Sequence, residues 1–379
     1  MRFDHLKSLW VSGVVFLVLF TCGFLMSRQK PLWNDEIYSQ KTAIEANSYK
    51  GLLSLNFPDG NKNPLFYVIQ KTVCNIFSYH LSVGYVDEFT RVRDIPSQVI
   101  LRIPSNIYMS LALALIFYFF TRFYSVFAAM YALAVALATP MVWMYWVEAR
   151  PYPLWFLLTT AQLLLLVYAM MFPQIKRIKT FLLIHVLLAF TTPTSMFQIT
   201  IATLMLSWKA KYKLKHLGLI WILPISIALF YYSHDTIFTI YTYMFYTNLF
   251  DVVMPERLYV YVVYALVAWV LPDKYKKFAW NVLFLPVFLL FLASGVFILF
   301  VDLFTKNSQQ GFFSRYLIYV TPADILMFSF ASFDLRQWSR PNPWICLNTS
   351  IFLGGLVIIR GLMTYRDILA SALYLHSPG

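Results

Sequence analysis

Long apolar runs, about every second one closed by a short cluster of Lys and Arg, dominate this 379-residue chain and restrict it to one broad class of fold. In lipid every backbone N–H and C=O has to be satisfied within the chain, so such runs cross a bilayer as helices. Runs bounded by charge or joined by tight turns lie at 9–26, 104–120, 126–147, 154–172, 180–190, 195–208, 217–232, 259–271, 279–301, 316–333 and 344–359. They predict about eleven helices, most near the roughly 20 residues that a span requires and some shorter. The expected fold class is all-α: a polytopic transmembrane helix bundle forming one domain over 1–379, with no sizeable soluble domain after the last span. Composition agrees, since 60% of residues are hydrophobic and 12% charged, whereas a soluble domain is about 45–50% apolar.

The basic residues are topology signals. A net charge of +13 would suit nucleic acid, but the cations lie in short clusters pinned to helix ends, not along one face, so no nucleic-acid partner is expected. With a cytoplasmic amino terminus, one set of connections carries Arg122, Lys176-Arg177-Lys179, the four lysines from Lys209 to Lys215, Lys274-Lys276-Lys277, and Arg336 with Arg340. The other set carries only Arg150, Arg257, Lys306 and Arg315 in its short loops. That alternation predicts a multi-pass protein of the cell inner (plasma) membrane, with its amino terminus cytoplasmic and its carboxy terminus extracytoplasmic. The first run follows Arg2 and Lys7 as in a signal peptide, but Phe24-Leu25-Met26-Ser27-Arg28 is no small-x-small cleavage site, so an uncleaved first span is expected. Cys22, Cys74 and Cys346 form neither a disulfide framework nor a CxxC motif.

The first outward loop, 27–101, is too long for a connector and too apolar to be disordered. Ile37, Ala43, Ile44, Leu52, Leu53 and Leu55 fit an amphipathic helix lying on the membrane, with Lys41, Lys50, Tyr38 and Tyr49 toward the headgroups. A turn is expected at 56–63, then a second amphipathic helix from Pro64 to about Phe77. The loop opens on Trp33-Asn34-Asp35-Glu36, two adjacent acids at a membrane boundary. Asn34 as an N-cap with both acids in a first helical turn is one account of them. A chemical role is the other.

Five features share the outward side: Asp35-Glu36, Lys62-Asn63-Pro64-Leu65-Phe66-Tyr67, Arg102, Glu148-Ala149-Arg150-Pro151-Tyr152, and Arg315-Tyr316. Charges at the membrane boundary are costly unless they pair or serve a substrate. Together these stretches resemble the glycosyltransferase C (GT-C) superfamily, in the branch of protein O-mannosyltransferases, aminoarabinose transferases and Rgt-type lipopolysaccharide-core transferases. Trp33-Asn34-Asp35-Glu36 is similar to that family's acidic motif, and 61–67 to its His-Pro-Pro-Leu-Tyr-Tyr signature, with Lys62 and Asn63 in place of the His and first Pro. Leu101-Arg102-Ile103-Pro104-Ser105 is similar to its Arg-Leu-Pro-Ser segment, 145–152 to Glu-Ala-Arg-x-Tyr, and 313–317 to Arg-Tyr-Leu.

The resemblance implies transfer of a sugar, with inversion, from a polyprenyl-phosphate donor to an extracytoplasmic lipid, cell-envelope glycan or protein. A phosphate leaves as an anion and needs stabilisation rather than a proton. Arg102, Arg150 and Arg315 offer planar guanidinium forks for its oxygens, with Lys62, Tyr67, Glu148 and Tyr152 as further substrate-binding candidates. The acceptor hydroxyl must lose its proton during attack, and Asp35 is the expected general base. Glu36 points about 100° away on a helix. It is expected to take part in catalysis, to hold a possible divalent metal ion, to bind donor sugar, or to cap the helix. Asp324, expected near the middle of a span, stands apart as an intramembrane acid. Two other functions fit the same outward arginines: a transporter or flippase of lipid-linked sugars, and an inactive relative acting as a scaffold.

Overall fold

The structure is a computed structural model, and it describes residues 4–54, 64–82, 91–173, 177–192, 194–208, 213–233, 318–339 and 342–376. Helix α1 (His5–Gln29) begins where the Asp4 side chain accepts the Lys7 N–H at 2.7 Å and ends at Lys30, held extended ahead of Pro31. There follow β1 (Leu32–Trp33), α2 (Asn34–Tyr38), a π-helical turn (Ser39–Glu45), α3 (Tyr49–Leu53) and α4 (Pro64–Ile76). After β2 (Arg91–Val92) come α5 (Ile95–Phe123), α6 (Val126–Leu137), α7 (Pro140–Tyr145), α8 (Tyr152–Met171), α9 (Ile178–Thr191), α10 (Ser195–Trp208) and α11 (Leu214–Ser233). Beyond the undescribed stretch lie α12 (Thr321–Ser339) and α13 (Pro343–His376).

Among the described residues three helices, His5–Gln29, Ile95–Phe123 and Tyr152–Met171, are long and apolar enough to cross a membrane. Several expected boundaries move. Helix α5 starts at Ile95 rather than 104, because Asp94 caps it by accepting the Ser97 N–H at 3.1 Å and Pro96 suits a first turn. Pro104 lies inside this helix, and Gln70 of α4 donates to the Leu101 carbonyl, at 2.7 Å, in the turn the proline loosens. The expected single span at 126–147 is two helices: Pro140 has no N–H for the Ala136 carbonyl, which the Thr139 N–H takes instead at 3.0 Å. The expected long surface helix over 37–55 is likewise broken into α2, the π-helical turn and α3. Helix α13 continues past the expected end at 359. The expected spans at 259–271 and 279–301 lie outside the described residues.

Although helices dominate, an all-α description omits one feature. β1 and β2 pair antiparallel, Leu32 with Val92 and Trp33 with Arg91, closing the base of the 27–101 excursion. Helix α5 is the central post, packed on α1, α6 and α8, while α12 packs on α6 and α8. At one end of the bundle Trp155 of α8 stacks on Tyr319, with ring centroids 5.0 Å apart, just before α12 begins. At the opposite end Tyr124 meets Phe330 and Phe333 at 5.1 and 5.0 Å. That end also carries Arg336 over the Phe127 ring and Arg177 over Tyr168. Asp35, Glu36, Arg102, Glu148, Arg150 and Tyr152 lie at the first end.

Candidate active site

The site is built on the last turn of α1, whose terminal carbonyls have no helical partners of their own. Side chains of α5 supply donors. Gln98 reaches the carbonyls of Arg28 and Lys30, and one turn on, Arg102 reaches those of Ser27, Lys30 and Pro31. A turn further, Asn106 donates to the Phe20 carbonyl at 2.8 Å while its Oδ1 accepts the Trp146 indole N–H at 3.1 Å. Gly23 lets the helices meet there, because a Cβ on it would fall 1.9 Å from Asn106 Oδ1.

Arg102 also meets Glu36 edge to edge: Nε donates to Oε1 at 2.9 Å and Nη2 to Oε2 at 2.6 Å. Both side chains are fully buried. The guanidinium has five N–H groups, and these five bonds use all of them, so Arg102 has no donor to turn toward a phosphate in this arrangement. Glu36 accepts two more bonds, from the Ala149 backbone N–H at 2.7 Å and the Trp33 backbone N–H at 3.2 Å. The second is half of a capping box: Trp33, not Asn34, is the N-cap of α2, and Glu36 at its third position reaches back to it. Burial works to raise the Glu36 pKa, but the charge and hydrogen bonds of Arg102, with Lys30 and the Ala149 N–H, outweigh it and hold the carboxyl below its ordinary value. Glu36 was the first candidate for a metal ion, yet its oxygens already face a guanidinium and two amide N–H groups. Those surroundings do not fit a second cation. Among the described residues no group of three or more His, Cys, Asp or Glu could hold a metal.

The connection between α7 and α8 lies alongside α2. Arg150 donates to the Asp35 carbonyl at 3.1 Å and to the Ser39 hydroxyl, and its Nη2 lies 3.9 Å from Asp35 Oδ2. Glu148 diverges from Arg150 and pairs instead with Lys30, at 3.1 Å, while Lys30 also donates to the Met144 carbonyl. Burial raises the Glu148 pKa, and the neighbouring Glu36 charge adds to this against Lys30. Asp35 keeps a side-chain exposure of 28%, against 0% for Glu36 and 7% for Glu148. Among these cations Lys30 is the most open, at 35%.

Tyr67 and Tyr152 are both buried. The Tyr152 hydroxyl has no hydrogen-bond partner among the described residues, and its ring lies 5.0 Å from that of Tyr145. Lys62 and Arg315 lie outside the described residues. Asp324 occupies the first turn of α12 rather than the middle of a span, where the helix N–H groups favour a carboxylate. Sequence reasoning passed over Lys30, Ser39, Gln98 and Asn106. The fourfold spacing Gln98, Arg102, Asn106, Ser110 was the available signal, since it sets four polar residues on one stripe of an apolar helix. It also passed over a buried network joining α8 to α10, in which Gln198 accepts the Trp155 indole N–H at 2.9 Å and donates to Thr159 and Gln162 at 3.2 Å.

No protein-family model matches the chain, and neither does any curated protein. Among solved structures the chain is similar to the crystal structure of ArnT from Cupriavidus metallidurans in the apo state. The identity is 14%, over 97% of this chain and 74% of that one, with a TM-score of 0.44.

Proposed function

We propose that the protein is an inverting membrane glycosyltransferase that moves a sugar from a polyprenyl-phosphate donor to an extracytoplasmic lipid, glycan or protein acceptor. Asp35 is its general base. The observation that carries this assignment is the difference in exposure among three neighbouring acids: Glu36 and Glu148 are enclosed, and Asp35 alone of the three opens to the surroundings, at 28% of its side chain. A base has to reach the proton it abstracts.

The anionic leaving group calls for cations at the same depth. In this reading Lys30, partly exposed, joins Arg150, Lys62 and Arg315 around the phosphate, and Arg102 serves the protein's own framework. The aromatic faces of Tyr67 and Tyr152 border the donor groove. The bundle end that carries the site is the outer one, and the end holding Arg122, Arg177 and Arg336 is cytoplasmic, in keeping with positive charge being retained inside.

The test is sugar transfer by the purified protein in lipid, with a panel of radiolabelled polyprenyl-phosphate sugars and Asp35→Asn as the comparison. Consumption of one donor by the parent, with binding but little turnover in the variant, supports the assignment. Equal turnover by both removes Asp35 as the base. Consumption of no donor favours transport or a scaffold role.

A further inference from the structure

Three ion pairs line this end of the bundle: Glu36 with Arg102, Asp35 with Arg150, and Glu148 with Lys30. The guanidiniums of Arg102 and Arg150 are enclosed, whereas the Lys30 ammonium can be reached from outside. It donates to Glu148 Oε1 at 3.1 Å and to the Met144 carbonyl at 3.2 Å, so among the described residues the third of its N–H groups is open to a ligand. Its partner is the opposite case. Glu148 is buried, and its Oε2 has no hydrogen-bond partner among the described residues. We propose that the anionic phosphodiester of a polyprenyl-phosphate sugar takes over the Lys30 charge while Glu148 binds one proton from solvent, so that donor binding and proton uptake are a single event. The proposal rests on the reading of this site as one for such a donor.

The reason is charge balance. A phosphodiester is a much stronger acid than a carboxyl group, so it arrives with one negative charge and keeps it. Two anions then share the Lys30 ammonium, and one of them is enclosed. A buried carboxylate deprived of its counter-ion is costly, and it avoids that cost by accepting a proton. The other charged groups facing Glu148 offer no substitute for Lys30. Glu36, from α2, repels it, and Arg102, from α5, already uses all five N–H groups on Glu36 and three carbonyls. Arg150, in the same connection, donates to the Asp35 carbonyl and the Ser39 hydroxyl. Burial already raises the Glu148 pKa with Lys30 in place, and sharing that cation raises it further. The step balances simply: one O–H bond forms on the Glu148 carboxylate, and Lys30 remains an ammonium throughout.

The test titrates farnesyl methyl phosphate, a prenyl phosphodiester without a sugar, into the full chain in detergent micelles and follows the heat, with empty micelles subtracted. Repeating it in buffers of different ionisation heat counts the protons bound. The parent should take up roughly half a proton or more per probe at its maximum, at a pH above 4.5, with affinity falling by up to about tenfold per pH unit there. Glu148→Gln and Lys30→Gln should both abolish the uptake, the second because Glu148 is then already protonated in the free protein. At the pH of maximal uptake they should move affinity in opposite directions: Glu148→Gln binds the probe more tightly, since no carboxylate competes for Lys30, and Lys30→Gln binds it more weakly. A pair with a structural role alone would weaken binding in both. Uptake that is absent from the parent or persists in Glu148→Gln overturns the proposal, and so does a parent that binds no probe. If Glu148→Gln does not fold, Lys30→Gln decides: lost uptake with weaker binding supports the proposal, and persistent uptake overturns it. Sugar transfer from a labelled donor alongside probe binding without uptake would remove the coupling and leave the transferase reading. Proton-coupled binding with no transfer from any donor would do the reverse.

Discussion

Arg102 and Glu36 are bound by a two-point ion pair, Nε to Oε1 at 2.9 Å and Nη2 to Oε2 at 2.6 Å, with neither side chain exposed. Removing one partner of such a pair strands a buried charge, at a cost of about 3–5 kcal/mol. Arg102→Ala should therefore lower the thermal stability of the detergent-solubilised protein by that amount. Arg102→Lys should lower it less but in the same direction, since an ammonium cannot meet both carboxylate oxygens and three carbonyls at once. Unfolding monitored by intrinsic tryptophan fluorescence checks both.

Asp35→Asn preserves shape and removes the proton acceptor. Turnover should fall by about 10²- to 10⁴-fold, with donor affinity little changed. Separate measurement of donor binding and of single-turnover transfer distinguishes this from a general loss of folded protein.

Gly23 faces Asn106 and Trp146 closely enough that a Cβ would lie 1.9 Å from Asn106 Oδ1 and 2.7 Å from Trp146 Nε1. Gly23→Ala should cost about 1–3 kcal/mol through overpacking. Gly13 in the same helix has nothing within 4 Å of the corresponding position, so Gly13→Ala should be neutral or stabilising by up to about 1 kcal/mol. Paired melting curves provide the comparison.

The two buried acids should respond oppositely to pH. Glu36, held below its ordinary value, contributes stability that is present above the unfolded pKa and lost as pH falls through the folded one. Glu148, raised by burial, contributes stability that is present below the unfolded pKa and lost as pH rises through the folded one. Glu148→Gln keeps an acceptor for Lys30 and removes the ionisation. Its melting temperature relative to the parent should therefore climb as pH is taken upward from 4.5, whereas that of Glu36→Gln should stay level there and climb only as pH is taken below 4.5, where the parent loses the Glu36 contribution.

The sequence made Asp35, Glu36, Arg102, Glu148 and Arg150 conspicuous because charge is scarce at a membrane boundary, and the structure gathers all five at one end of the bundle. It did not divide their roles. Which acid opens outward depends on the Ala149 N–H, a backbone group that no side-chain pattern announces, 113 residues along the chain from Glu36. Helices α4 and α10 were legible from spacing and from Pro64 and Ser195. The break at Ala138 was masked because the apolar run continues straight across Pro140, and hydropathy does not register a missing N–H. The pairing of Leu32 with Val92 was illegible for a different reason: two residues are too few to show an alternating pattern.

That short ladder has an evolutionary consequence. The excursion between α1 and α5 leaves and returns through one doorway, Leu32-Trp33 beside Arg91-Val92, so its two stems keep a fixed spacing whatever is threaded between them. Lengthening a closed segment costs little, about 0.6 kcal/mol per doubling. Added length is therefore tolerated only between the packed elements of the excursion, while Glu36 and Arg102, at its threshold, and Phe66, Tyr67 and Gln70, buried within it, stay under the constraint of the helices around them.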